Sequence, residues 1–159
     1  SPRGAASSTR GLSMGGEIPS NRTNVIDFVT IVTTANAVDF GDLTIKTRLA
    51  ASCSNSTRAL YAGGENPDSN ALNTINFITI ASQGDASDFG DMTSARMEHT
   101  AASDPTRAVF AGGNTTGPSV LQNVIDFVTI STTGNASDFG DLHAPNTRSS
   151  STSSGHGGL

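Results

Sequence analysis

The tetrapeptide Asp-Phe-Gly-Asp occurs three times, beginning at Asp39, Asp88 and Asp138, at separations of 49 and 50 residues. A fixed internal period constrains a chain more than any local propensity, because each copy must adopt the same unit and the units must bury one another. Other markers keep the same pace. An apolar run precedes each tetrapeptide, at Val25–Ile31 (VIDFVTI), Ile75–Ile80 (INFITI) and Val124–Ile130 (VIDFVTI). Upstream of these runs lie the glycine pairs Gly15-Gly16, Gly63-Gly64 and Gly112-Gly113, and a fourth pair, Gly157-Gly158, stands at the end of the sequence. The 159 residues read as one repeat domain over 1–159, with repeat 1 over about 3–47, repeat 2 over about 48–95, repeat 3 over about 96–147 and part of a fourth over 148–159.

Within each unit, apolar residues at every second position predict strands with one or both faces buried. In the second unit these are Leu49–Cys53, Arg58–Ala62, Leu72–Ile80 and Ala86–Met92, four short strands in all. The stretch Gly63-Gly64-Glu65-Asn66-Pro67-Asp68 between the second and third has turn chemistry: glycines accept positive φ, proline fixes φ, and Asn or Asp can bond nearby backbone. The third strand carries Ile26, Phe28 and Thr30 on one face and Val25, Asp27, Val29 and Ile31 on the other, so it belongs inside a stack of sheets. No segment combines helical periodicity with caps over ten or more residues, and no α-helix is expected. The fold class read from the residues is all-β, in antiparallel four-stranded repeats.

Only 14% of residues are charged, the net charge is -5, and Lys46 is the single lysine. Nucleic-acid binding needs clustered cations, so that partner is not expected. No apolar run reaches the 18 residues of a membrane-spanning helix, and membrane insertion is not expected either. Cys53, the single cysteine, excludes an intramolecular disulfide and reads as a small buried apolar residue.

Leu60-Tyr61-Ala62-Gly63-Gly64, then Ile75-Asn76-Phe77, Phe89, and Met92-Thr93-Ser94-Ala95-Arg96 leading into the next unit, resemble the kelch repeat in order, spacing and length. Phe stands at 40, 89 and 139 where kelch units usually place Trp, and Asp-Phe-Gly-Asp is not a general kelch feature. The Ile-Asp-Phe-Val-Thr-Ile and Asp-Phe-Gly-Asp-Leu strings also look like repeats of predicted bacteriophage tail or fibre proteins. The resemblance implies kelch-like β-propeller blades. Propellers close with about four to eight blades, so three units and a remnant imply part of a longer propeller, a ring of several chains, or an open stack. The partners implied are self-association or further copies of the repeat, and a cell-surface glycan; the location implied is extracellular or virion.

Asp39/Asp42, Asp88/Asp91 and Asp138/Asp141 recur in every unit, which marks a role in the repeat and not a catalytic pair or calcium site. The expected role is a tight corner beside glycine. Arg10, Arg58 and Arg107, each after Thr, and Arg48, Arg96 and Arg148 read as recurring in phase, with some expected to pair with Asp27, Asp126 or the Asp-Phe-Gly-Asp carboxylates. The residues assigned to the repeat are thus the glycine pairs at 15–16, 63–64 and 112–113, Phe40, Phe89, Phe139, Asp42, Asp91, Asp141, Arg48, Arg96 and Arg148. His99, His143 and His156 occupy different phases and read as exposed turn residues without metal-ligand spacing. Tyr61 is placed at a position shared with Met14 and Phe110, which argues against a copper site of the galactose oxidase kind.

No nucleophile elbow, phosphate loop or dinucleotide fingerprint is present, so no catalytic residue, cofactor or metal ligand is assigned. The least repetitive segments are 17–24, 65–71 and 114–122, and variable loops on a fixed scaffold suit recognition. Glu17, Asn21, Glu65, Asn66, Asp68, Asn114, Thr115 and Thr116 are the candidate binding positions. The expectation is a non-enzymatic structural and binding module of a tail-fibre-like protein; a helical filament subunit is the alternative, and a propeller enzyme a lesser one.

Overall fold

The computed structural model describes residues 2–151, and the pair Gly157-Gly158, with His156 and most of the fourth unit, lies outside the described residues. Twelve strands form three four-stranded antiparallel sheets, each in simple sequential order, and there is no helix among the described residues. The first sheet holds β1 (Arg3–Ala6), β2 (Arg10–Ile18), β3 (Asn21–Thr30) and β4 (Val38–Asp42). The second holds β5 (Ala51–Ser54), β6 (Arg58–Ala62), β7 (Thr74–Thr79) and β8 (Ser87–Asp91); the third holds β9 (Thr100–Ser103), β10 (Arg107–Ala111), β11 (Val124–Thr129) and β12 (Ser137–Asp141).

A polar residue followed two positions later by Thr and then Arg makes the first turn of each unit. The side-chain oxygens of Ser7, Asn55 and Asp104 each accept the backbone N–H groups two and three residues on. These bonds to the backbone hold the exposed Asp104 carboxyl below its ordinary range. The Thr-Arg recurrence is therefore the exit of a side-chain-closed turn.

The Asp-Phe-Gly-Asp motif does not form a corner. It lies within the fourth strand, where Phe40, Phe89 and Phe139 are each the extra residue of a β-bulge: Asp39 pairs with Asp27 and Gly41 with Ile26, and the register breaks between them. A bulge re-aims the side chain, and Phe40 and Phe89 turn into the neighbouring sheet. Gly41 and Gly90 are required by the approach of that neighbour. A Cβ on either would stand 2.5 Å from the backbone of Gly84 or Gly134.

Two apolar layers result. Leu12, Met14, Ile26 and Phe40 pack on Ala59, Tyr61, Ile78 and Ile80; Leu60, Ala62, Ile75 and Phe89 pack on Ala108, Phe110, Val128 and Ile130. Each of the larger aliphatic and phenylalanine side chains among these contributes about 1.5–3 kcal/mol on full burial. The expectation that the third strand is covered on both faces holds for the second sheet only. In the first, Val29 and Ile31 are 37% and 55% exposed, against 2% and 1% for their counterparts Ile78 and Ile80, because among the described residues no sheet lies on that side. Met14 and Tyr61 do not share a position: Tyr61 aligns with Ser13 and Phe110, and Met14 with Ala62, one residue on and facing the next sheet.

The sheets sit nearest one another at their first strands, with β1 beside β5 and β5 beside β9. Serine hydroxyls stitch this edge. Ser52 and Ser54 donate to the carbonyls of Gly4 and Ala6, Ser103 donates to Ser54, and Ser151 to Ala101. Each donor and acceptor hold the same position in successive units, so residues 149–151 begin a fourth unit by the same rule. At the far edge, the backbone of β4 meets only the loop of the next sheet: Gly84 and Ala86 N–H donate to the carbonyls of Phe40 and Asp42.

Candidate functional site: the loop rim

The loops joining second and third strands all leave the sheets at the same edge, where the glycine pairs lie. Gly16, Gly64 and Gly113 N–H donate to the carbonyls of Thr47, Arg96 and Asn146, and at Gly63 a Cβ would stand 2.6 Å from Arg96 O, so the chain passing to the next unit fixes each loop at its base. In the first sheet there is little loop at all. β2 and β3 stay paired through Glu17↔Arg22 and Ile18↔Asn21, leaving Pro19 and Ser20 as the turn.

The loops are tied laterally. Arg22 donates to Glu65 at 2.9 Å, to Pro67 O at 3.3 Å and to Ser69 Oγ at 3.4 Å, while Arg48 bonds Glu65 and Glu17, each at 2.6 Å. Burial alone would push the Glu65 carboxyl up; the hydrogen bonds from Arg22 and Arg48 outweigh it and hold the group below its ordinary value. Those from Glu65 and then Glu17 raise Arg48 in turn. From the second loop to the third, Ala71 N–H donates to Thr116 Oγ1 at 3.2 Å.

The eight candidate binding positions therefore divide. Glu65 and Asn114 are buried and structural: Glu65 holds two arginines, and Asn114 Nδ2 donates to Ser119 Oγ at 2.9 Å. Asn66 Oδ1 accepts the N–H groups of Asp68 and Asn70, shaping its own turn, and Thr116 is spent on Ala71. Thr115 is half-buried, with Oγ1 on Pro118 O. Glu17, Asn21 and Asp68 face solvent, with Ile18, Val120 and Leu121 exposed beside them on the same rim.

Arg48, Arg96 and Arg148 each hold structure, but they are not in phase. They follow the last Asp of Asp-Phe-Gly-Asp by 6, 5 and 7 residues. Thr47, Arg96 and Asn146 are the true counterparts, since all three carbonyls receive the second glycine of a pair. Arg148 bonds Glu98 from the surface, whereas Arg96 is fully buried and meets Asp126 at 2.7 Å and Phe110 O at 3.1 Å. The expected pairing with Asp126 is thus present in one interface. The equivalent Asn76 takes Thr44 N and Oγ1 just as Asp126 takes those of Thr93. Among the described residues Arg10, Arg58 and Arg107 have no carboxylate partner. Each lies over a phenylalanine ring, at 4.8, 4.8 and 5.2 Å, and the first two donate to Ile80 O and Ile130 O of the next sheet.

His99 is not an exposed turn residue. It is buried at the position held by Ala50 and Ser149, against Phe110, with neither ring nitrogen hydrogen-bonded. Burial, reinforced by the charges of Arg96 and Arg3, pushes its pKa down to about 3. His143 is exposed as expected. Cys53 is buried and its thiol pushed up to about 12, which leaves no thiolate for nucleophilic chemistry near neutral pH. Among the described residues no three His, Cys, Asp or Glu side chains come together as a metal site.

Sequence reasoning missed the serine ladder and the loop-to-strand bonds. Their signal was present in Ser54 and Ser103, which share a phase, and in Gly84-Asp85-Ala86 and Gly134-Asn135-Ala136. No known protein family matches this chain, and no curated protein sequence does.

Proposed function

We propose that the chain is a non-enzymatic structural and binding module built of kelch-like propeller blades, part of an extracellular or virion-associated, fibre-like assembly. The sheets nearest at their first strands, with only loops meeting at the fourth, support the blade reading. One observation carries the binding half: the three loops are fastened to each other into a single rim while Glu17, Asn21 and Asp68 stay in solvent. A rim whose internal bonds are already made loses little conformational entropy on binding, and the solvent-facing Asn21 amide and Asp68 carboxylate suit sugar hydroxyls or a polar protein surface. The ligand class favoured is a cell-surface glycan. A glycan array tests it. Binding to a defined saccharide by the parent, lost when Asn21 and Asp68 are both replaced by Ala, is the expected result. An array without hits overturns the recognition half.

A further inference from the structure

Both internal interfaces are built from one set of contacts. The phenylalanine of the bulge, Phe40 or Phe89, is 2% exposed and packs against the following sheet. Arg10 or Arg58 donates across to the carbonyl of Ile80 or Ile130. The carbonyls of Phe40 and Asp42 receive Gly84 and Ala86 N–H, those of Phe89 and Asp91 receive Gly134 and Ala136, and Asp42 and Asp91 N–H donate to Asp85 and Asn135.

The third sheet presents the same set with nothing on it among the described residues. Phe139 is 56% exposed, Arg107 is exposed, and Gly140 has nothing within 4 Å of where its Cβ would stand. The first sheet presents the receiving set on its outer face. Val29, Ile31 and Ala37 stand where Ile78, Ile80 and Ala86 receive Phe40, and residues 35–37 stand where 84–86 do. Gly11 and Ser13 replace Ala59 and Tyr61, and they leave an apolar recess of about 230 Å³ that also reaches Val29 and Ala37. The polar latch is complementary too. Thr44 and Thr93 bond Asn76 and Asp126; the next pair in that series is the His143 imidazole and the Asp27 carboxylate.

We propose that the chain associates head to tail, the outer face of the third sheet of one copy seating on the outer face of the first sheet of a second copy, with Phe139 in the Gly11/Ser13 recess. This rests on the sheets being equivalent stacked units, and is independent of glycan recognition. The contact is carried by the outer three strands. Residues 149–151 already lie along β9 where a following first strand belongs, so Arg3–Ala6 of the incoming copy gives way at that edge. A heterologous contact of this kind makes rings or open chains.

Sedimentation velocity from about 10 μM to about 1 mM tests it with two surface variants, Phe139→Asp and Ala37→Arg, each on an uncovered face. The parent is expected to form assemblies larger than a monomer, and each variant alone to stay monomeric. An equimolar mixture of the two is expected to form dimers and nothing larger, because one intact head and one intact tail remain. A monomeric parent throughout, association of either variant alone like the parent, or a mixture that stays monomeric overturns the proposal. Glycan binding by the monomeric variants keeps the two readings separate.

Discussion

The Arg96–Asp126 pair can be tested against the protein's own other interface. Both side chains are fully buried; the guanidinium gives one nitrogen to the carboxylate at 2.7 Å and to Phe110 O, and leaves Nε and Nη1 without partners. Burial drags the Arg96 pKa below its ordinary value, and the Asp126 charge and hydrogen bond recover only part of it. Asp126→Asn therefore strands a buried cation, and Arg96→Thr strands a buried anion held only by Thr93; each is expected to cost about 3–5 kcal/mol. The double variant installs the residues that hold the equivalent positions in the first interface, Thr47 and Asn76, where Asn76 needs no cation and is satisfied by Thr44. Its remaining cost is the space vacated by the longer side chain, about 2–5 kcal/mol. Urea unfolding of the four proteins gives a coupling above about 2 kcal/mol if this is right. Single variants within about 0.5 kcal/mol of the parent, or a double variant as unstable as the sum of the singles, would refute it.

Gly90→Ala should destabilise by several kcal/mol, because its Cβ would meet the Gly134 backbone at 2.5 Å, whereas Gly140→Ala, at nearly the same φ but with no neighbour, should cost only about 1–3 kcal/mol of backbone strain; thermal melts that do not separate the two would remove the close-approach argument. His99 makes stability depend on pH with a definite sign. Its folded-state pKa is depressed from 6.5 to about 3, so below pH 6.5 the unfolded chain takes up a proton that the folded one refuses; the stability is complete above 6.5 and is lost toward pH 3 at about 1.4 kcal/mol per unit. His99→Ala, which installs the residue found at the equivalent Ala50, should flatten that part of the curve, and parallel curves for the two proteins would count against it.

Strand positions in the second unit were legible to within two residues, because a repeat reports its boundaries three times and averages away local ambiguity. The second strand at Arg58–Ala62 matches throughout. What was not legible was phase over short distances. Three arginines spaced 48 and 52 residues apart look equivalent, yet they follow the last Asp of the preceding tetrapeptide by 6, 5 and 7 residues and so occupy three different positions of the connection between sheets. Arg96 stands at the position of Thr47 and Asn146 and is buried, whereas Arg148, two positions further on, stands at that of Leu49 and Glu98 and is exposed. The same slip placed Met14 with Tyr61. Of the candidate site, exposure at Glu17, Asn21 and Asp68 followed from loop position, but the burial of Glu65 and Asn114 did not, since it depends on arginines contributed from 17 and 43 residues away and on a hydroxyl within the same loop.

The composition then acquires a physical cause. A chain with this few charges and this many hydroxyls is poorly supplied for surface ion pairs, yet the hydroxyls are where stacking needs them. A serine on an edge strand donates to the carbonyl of the unit before it, so the same residue type serves from one step of the stack to the next. Apolar faces set how strongly neighbouring sheets hold; the serine edge and the loop-to-strand bonds set their register. Because neither device, nor the lateral bonds of the rim, uses the Asp68 side chain, and Asn21 bonds only its own neighbour, those two positions can differ from unit to unit at little cost to the stack. That separation of scaffold from rim is what makes recognition at Asn21 and Asp68, and not at the conserved-looking glycines or aspartates of the repeat, the reading to pursue.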